Sequence, residues 1–290
     1  MGETWFPPRE RAAGERRANL ADRRFPAREG GSLSVRTDKP ASGIVLVTID
    51  RQDALNAFDL PTLTELRDRL RELADDPDAR VVVLTGAGEK AFAAGADIKY
   101  MTGLGVDEAK AWGALGHETA RLLETMPKPT IAAINGFALG GGCELAIACD
   151  LRYAARTAKI GQPEINLGLI PGWGGTQRMA RTTTLGYAKE LIFTGRVVDA
   201  EEAERHGLVN VVFEPGELLE KTMAVAELLA SKSPVALAAA KAASNRALAG
   251  DHRANLDLEA SEFGELFASE DAREGMTAFV EKREPTFVGR

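Results

Sequence analysis

Chemistry in this chain is most visible at Ala138-Leu-Gly-Gly-Gly-Cys-Glu-Leu-Ala-Ile-Ala-Cys-Asp150. Three glycines opening a helix leave backbone N–H groups bare where the helix dipole favours negative charge, a geometry suited to an oxyanion. Glu144 is the only acidic or basic side chain between Asn135 and Asp150, and an unpaired carboxylate forced into apolar surroundings needs a reason to be there. Two readings stand side by side. Glu144 is a first-turn acid complementing the dipole, or a carboxylate kept dry for proton transfer; a capping box would want Ser or Thr where Gly141 has no side chain. A second carboxylate, Glu164, follows Pro163 in a stretch otherwise uncharged from Ile160 to Gln177. It reads as an exposed loop acid or as a partner facing Glu144 across a pocket. A third segment, Lys90-Ala-Phe-Ala-Ala-Gly-Ala-Asp-Ile-Lys99, offers small residues, further backbone donors and a lysine able to reach a phosphate, or is a surface turn.

Other chemistries lack their residues. Leu145 stands where a dinucleotide fingerprint needs its third glycine, and neither a phosphate-binding Gly-x-x-x-x-Gly-Lys-Ser/Thr nor a Gly-x-Ser-x-Gly elbow occurs. His117, His206 and His252 are scattered without metal-ligand spacing, so no metal is expected. Cys143 and Cys149 lie in an apolar run and read as small buried hydrophobes of a reducing compartment.

The elements that would position these groups alternate. Ile44–Ile49 is a β-branched run, and Leu60, Leu63, Leu66, Leu70 and Leu73 then recur at helical spacing. Arg80–Thr85 and Thr130–Ile134 read as buried strands, Asp107–Thr125 as a helix, and the glycines open an apolar helix containing Leu145 and Ile147. Alternation of this kind predicts an α/β fold. From about Ala200 the chain is nearly all helix former, over Ala203–His206, Leu218–Leu229, Pro234–Leu248 and Asn255–Phe267.

With 290 residues, 44% of them hydrophobic and 27% charged, the chain is long enough to bury its own core without staples. Its net charge of −7 disfavours bulk attraction to nucleic acid or an anionic membrane. No window supplies a membrane span, and the first residues lack the apolar core of a secretory signal, so a cytoplasmic location is expected. Residues 1–36 hold eight Arg against five acids and no periodic apolar pattern; they read as a mobile Arg-rich arm. Residues 37–200 then form the core and 201–290 a C-terminal helical region of the same domain.

Taken together, the Phe92–Lys99 and Ala138–Ala146 segments, Gly161-Gln-Pro-Glu-Ile165 and Ile170-Pro-Gly-Trp-Gly-Gly-Thr-Gln-Arg178 resemble the enoyl-CoA hydratase, or crotonase, family. The similarity runs from about Gly43 to the C-terminus and includes Arg273–Arg283. It implies a crotonase-like spiral of strand-strand-helix turns, with the C-terminal helices making trimer contacts in a homohexamer, a dimer of trimers. By resemblance the N–H groups of Ala96 and Gly141 form an oxyanion hole for a thioester oxygen. Glu144 and Glu164 are the catalytic carboxylates, and Gly172 positions water through its N–H. Ala94, Asp97, Ile98 and Lys99 match the loop that contacts CoA, Ala54, Leu55 and Ala57 its adenine-side segment, and Phe279 and Lys282 positions that approach acyl-CoA across a subunit boundary.

The implied reaction adds water across the 2,3 double bond of a trans-2-enoyl-CoA to give a 3-hydroxyacyl-CoA, in fatty-acid or related acyl-CoA breakdown. Acyl-CoA is the substrate and no cofactor is required. Having both acids favours hydration, since the resemblance implies that relatives shifting a double bond often keep only the second. An isomerase, hydrolase or decarboxylase is the alternative, and RNA binding a distant one that the acidic charge opposes. The sequence departs from the family pattern at Asp53, where a basic residue is common, at Tyr100, where an acid is frequent, and at Trp173, bulkier than usual and expected to narrow the acyl pocket.

Overall fold

The computed structural model describes residues 33–247 and 249–290, so most of the expected N-terminal arm lies outside the described residues. Among the described residues ten strands fall into two sheets. They are β1 (Val35–Ala41), β2 (Ile44–Ile49), β3 (Val81–Gly86), β4 (Ala91–Ala93), β5 (Thr130–Ile134), β6 (Phe137–Leu139), β7 (Leu151–Ala155), β8 (Lys159–Gly161), β9 (Val197–Asp199) and β10 (Val211–Phe213). The larger sheet has the order β1-β2-β3-β5-β7-β10, parallel except for the β1–β2 pair, and the smaller the order β4-β6-β8-β9, antiparallel only at β8–β9.

Each spiral turn enters through the large sheet, steps into the small one and leaves through a helix. β3 and β4 lead to α2 (Ile98–Met101) and α3 (Val106–Thr125) after the earlier α1 (Leu60–Asp75); β5 and β6 lead to α4 (Gly141–Ala146). β7 and β8 lead through a 3-10 turn, Pro163–Leu167, to α5 (Gly175–Thr182) and α6 (Leu185–Thr194). This strand-strand-helix repeat is the spiral that the resemblance implied.

Continuous apolar runs make sense in a parallel sheet covered on both faces. In β3, Val82 and Leu84 join the main core with α1 and α3, while Val81 and Val83 join a second cluster. That cluster is closed by Leu218 and Ala226 of α8 (Leu218–Ala230), which follows α7 (Ala200–Arg205). The leucine periodicity of α1 is its buried stripe of Leu63, Leu66, Leu70 and Leu73, and the Asp59 carboxylate caps the helix by accepting from the Thr62 N–H.

Three expectations shift. Val35 and Arg36, placed in the arm by the sequence, belong to a strand: both pair with β2 and Val35 is buried. The glycine-opened helix is only six residues long, and Ile147 is its C-terminal cap rather than a member. The C-terminal region does form helices, α9 (Pro234–Arg246), α10 (His252–Leu266) and α11 (Glu270–Glu281), but α9 stops two residues short of Leu248. α10 and α11 leave Leu256, Leu258, Phe263, Met276, Phe279 and Val280 exposed on the single chain. No single helix among the described residues is long and apolar enough to cross a membrane.

Candidate active site

The two carboxylates singled out in the sequence open onto one cavity of about 380 Å³. Its wall includes Ala94, Gly95 and Ala96 after β4, Gly140, Gly141 and Glu144 around the start of α4, and Glu164, Gly172 and Trp173 from the segments that follow β8. The small sheet accounts for this meeting: β6 lies between β4 and β8, so the loops leaving all three strands emerge side by side.

Glu144 is 1% exposed. Its Oε1 accepts from the backbone N–H groups of Trp173 and Gly175, both at 2.7 Å. Burial raises its pKa, and the N–H groups of Gly175, Trp173 and Gly172 together with the Arg178 charge pull it back down. It is therefore no plain dipole acid, since its hydrogen bonds go to another segment. Glu164 sits in the 3-10 turn, and its pKa is pushed up to about 7, first by burial and then by the Glu144 charge. With its nitrogen turned to the carboxylate, the fully buried Gln162 amide donates to Glu164 Oε1 at 2.9 Å and Oε2 at 3.1 Å.

Ala96 and Gly141 line the same cavity, and among the described residues the backbone N–H groups of both are without a partner. Phe58 pairs with the groups flanking Ala96 instead, through Gly95 O and Asp97 N, and Gly141 is the first residue of its helix. Gly95, at φ +98°, makes the approach possible: a Cβ there would lie 2.9 Å from Leu139 O and 3.6 Å from Gly141 N. Gly172 lines the cavity as well.

Trp173 is buried against glycines. A Cβ on Gly116 would stand 2.1 Å from its Cδ1, and one on Gly141 2.3 Å from its Cζ3. Phe58 and Trp112 meet the indole edge-to-face at 5.6 and 5.2 Å, and Tyr100 meets Trp112 at 5.1 Å. Of this row of rings Trp112 and Trp173 line the cavity and form its aromatic floor, with Phe58 and Tyr100 packed behind them.

The remaining expected positions divide. Ala94 and Ile98 line the cavity, and Ile98 and Lys99 are exposed on α2, Lys99 outside the cavity lining. Ala54, Leu55 and Ala57 run beside the β4 loop, with the Ala94 N–H donating to Leu55 O at 3.0 Å. Leu55 and Asn56 adopt left-handed backbone, and the buried Asn56 amide fixes the segment by donating to Ala87 O and Ala91 O. Asp97 has a local job: it caps α2 and accepts from Arg51 at 2.9 Å, so its carboxylate is engaged within the chain. Phe279 and Lys282 do not line the cavity of the single chain. Sequence reading gave no role to Gln162, Trp112 or Arg178. A polar residue just before Pro-Glu in an apolar stretch was the available signal for the first; the others are joined only by tertiary packing. The three histidines do not meet, and among the described residues no group of His, Cys, Asp and Glu side chains could hold a metal.

Comparison with known proteins agrees with this geometry. The family model described as enoyl-CoA hydratase/isomerase matches residues 39–290. A crotonyl-CoA hydratase of Syntrophomonas wolfei is 47% identical over 247 residues, covering 85% of this chain and 95% of the relative. A short-chain-enoyl-CoA hydratase of Clostridium acetobutylicum is 48% identical over 240 residues, covering 83% and 92%. The crystal structure of an enoyl-CoA hydratase from Bacillus anthracis superimposes with a TM-score of 0.86 at 40% identity, covering 89% of this chain and all of that one. With the match spanning both sheets, the cavity and the C-terminal helices, this chain belongs to the enoyl-CoA hydratase/isomerase family.

Proposed function

We propose that the protein is an enoyl-CoA hydratase that adds water to a short-chain trans-2-enoyl-CoA. The observation that carries the reading is the pair of carboxylates, Glu144 and Glu164, on one cavity also lined by Ala96 and Gly141, whose backbone N–H groups have no acceptor among the described residues. Attack of water at C3 pushes negative charge onto the thioester oxygen, and donors fixed in advance stabilise that charge; one such donor is typically worth ~10²–10³ in rate. Ala96 and Gly141 are assigned as those donors.

Glu144 takes a proton from water as the oxygen bonds to C3, and Glu164 gives its proton to C2, so water's second hydrogen stays on the product hydroxyl and the charge on the oxyanion collapses back into the thioester. The environments suit this division. Burial raises both carboxyls, Glu164 to about 7 with the Glu144 charge adding to the rise, and at Glu144 the backbone N–H groups of Gly175 and Trp173 and the Arg178 charge oppose it and favour the ionised form that a base needs. The reaction is a proton and water transfer that calls for no redox or metal group. The exposed apolar faces of α10 and α11 fit a trimer-based homohexamer, in which Phe279 and Lys282 would serve a neighbouring acyl-CoA.

The test follows the ultraviolet absorbance of the conjugated thioester of crotonyl-CoA, with the product identified by mass spectrometry and Glu144→Gln as control. Loss of absorbance with a gain of one water, absent from the control, is expected. A product isomeric with its substrate would instead assign double-bond migration.

A further inference from the structure

Glu144 Oε1 receives its two N–H groups from peptide units that flank a third. The intervening unit, between Trp173 and Gly174, points its carbonyl the other way, where Arg178 Nη1 donates to it at 2.9 Å. Gly174 permits the reversal at φ +110°, and a Cβ there would lie 2.2 Å from the same Nη1. Arg178 is itself held: its Nε and Nη2 donate to Glu124 Oε2 at 3.2 and 2.7 Å. Glu124 lies in the last turn of α3, whose Trp112 and Gly113 line the cavity, and Asn245 of α9 donates to the Glu124 carbonyl at 2.8 Å.

We infer that Arg178 is a positioning residue for the hydration reaction: it pins the Trp173–Gly174 peptide so that the N–H groups on either side converge on Glu144, and Glu124 fixes the guanidinium in that orientation. The inference rests on the reading of Glu144 as the base.

The charged and titratable surroundings are defined on each side. Glu164 and Cys143 adjoin Glu144, while Glu124 and His117 adjoin Arg178. Behind the guanidinium, Asp150, Arg152, Arg181 and Lys241 line a second cavity together with Glu124 and Arg178. There Lys241 pairs with Asp150 at 2.8 Å, and Arg152 donates to the carbonyls of Cys149 and Leu208. Arg178 is the cation whose charge favours ionised Glu144.

The experiment compares wild type, Arg178→Met, Arg178→Lys and Glu124→Gln. Steady-state hydration of crotonyl-CoA is measured across pH, and the Glu144 carboxylate of the free protein is titrated by difference infrared spectroscopy, assigned with Glu144→Gln. In Arg178→Met, kcat falls ~10–100-fold, a loss typical of misplaced catalytic groups, with KM changed much less. The Glu144 titration and the acid limb of kcat both move to higher pH. Arg178→Lys keeps the charge and holds the limb nearer to wild type, but a single ammonium cannot span Glu124 and the Trp173 carbonyl, so kcat is only partly rescued. Glu124→Gln moves kcat in the same direction as Arg178→Met and covers the case in which that variant does not fold. Folded variants with wild-type kcat and an unmoved Glu144 titration overturn the inference. A wild type that does not hydrate crotonyl-CoA overturns the functional reading instead, and the infrared titration still decides whether Arg178 controls Glu144.

Discussion

Glu164→Gln is expected to make the protein more stable at alkaline pH while removing its turnover. Burial and the Glu144 charge push the Glu164 pKa from its ordinary 4.5 to about 7. Between those values the folded chain holds a proton that the unfolded chain has released, so the native state binds more protons and stability falls as pH rises through the window. At about 1.36 kcal/mol per pH unit, the wild type at pH 8 carries about 3 kcal/mol of destabilisation that a neutral glutamine of the same shape does not. Near pH 4.5 the native carboxyl is protonated and the two proteins differ little. Urea unfolding at pH 4.5 and pH 8, at one protein concentration, reads the difference as a midpoint shift at unchanged m-value. Gln162 remains able to serve the substituted amide, whose oxygen accepts where the carboxylate did. An equal stability difference at both pH values, or a variant less stable than wild type at pH 8, refutes the reasoning. Loss of hydration in the same variant places the cost in stability on the proton donor itself.

Other expectations follow from the packing. Trp173→Ala opens the aromatic floor, so the ratio of kcat/KM for C4 over C10 enoyl-CoA, high in the wild type, collapses toward one; equal rates for both lengths in the wild type would sink the narrowing argument. Asn56→Ala leaves the Ala87 carbonyl and the Arg51 N–H without their partner and the Ala91 carbonyl with only the longer bond from Asn135, costing about 2–4 kcal/mol in urea unfolding. Asp271→Asn weakens the grip on Ser233 Oγ and the N–H groups of Val288 and Gly289, and the last residues become more susceptible to carboxypeptidase.

Long apolar segments were legible because periodicity is local. The continuous run at residues 44–49 and the leucines of α1 are found where the pattern puts them, and the glycine-rich stretch opens a helix as expected. The three-residue strands β4, β6, β8, β9 and β10 were not legible: each is too short for a period to register, and each exists through pairing with distant chain. The same limit governed the site. Glu144 and Glu164 stood out as charges in apolar sequence, yet only the order of the small sheet brings them to one cavity. Asp97 drew attention as a loop acid beside Lys99, and its actual partners, Arg51 and the start of α2, come from forty-six residues upstream and from its own helix. Trp112 carried no signal at all until α3 was laid against Trp173.

The aromatic floor has an optical consequence. Two of the chain's three tryptophans, Trp112 and Trp173, stand 5.2 Å apart with their planes at 72°. Indoles so close and so rigidly crossed share their electronic transitions, which gives a paired-sign band in near-ultraviolet circular dichroism. Because both rings line the cavity, a molecule entering it changes their polarisable surroundings directly, and the protein carries a built-in, label-free reporter of occupancy.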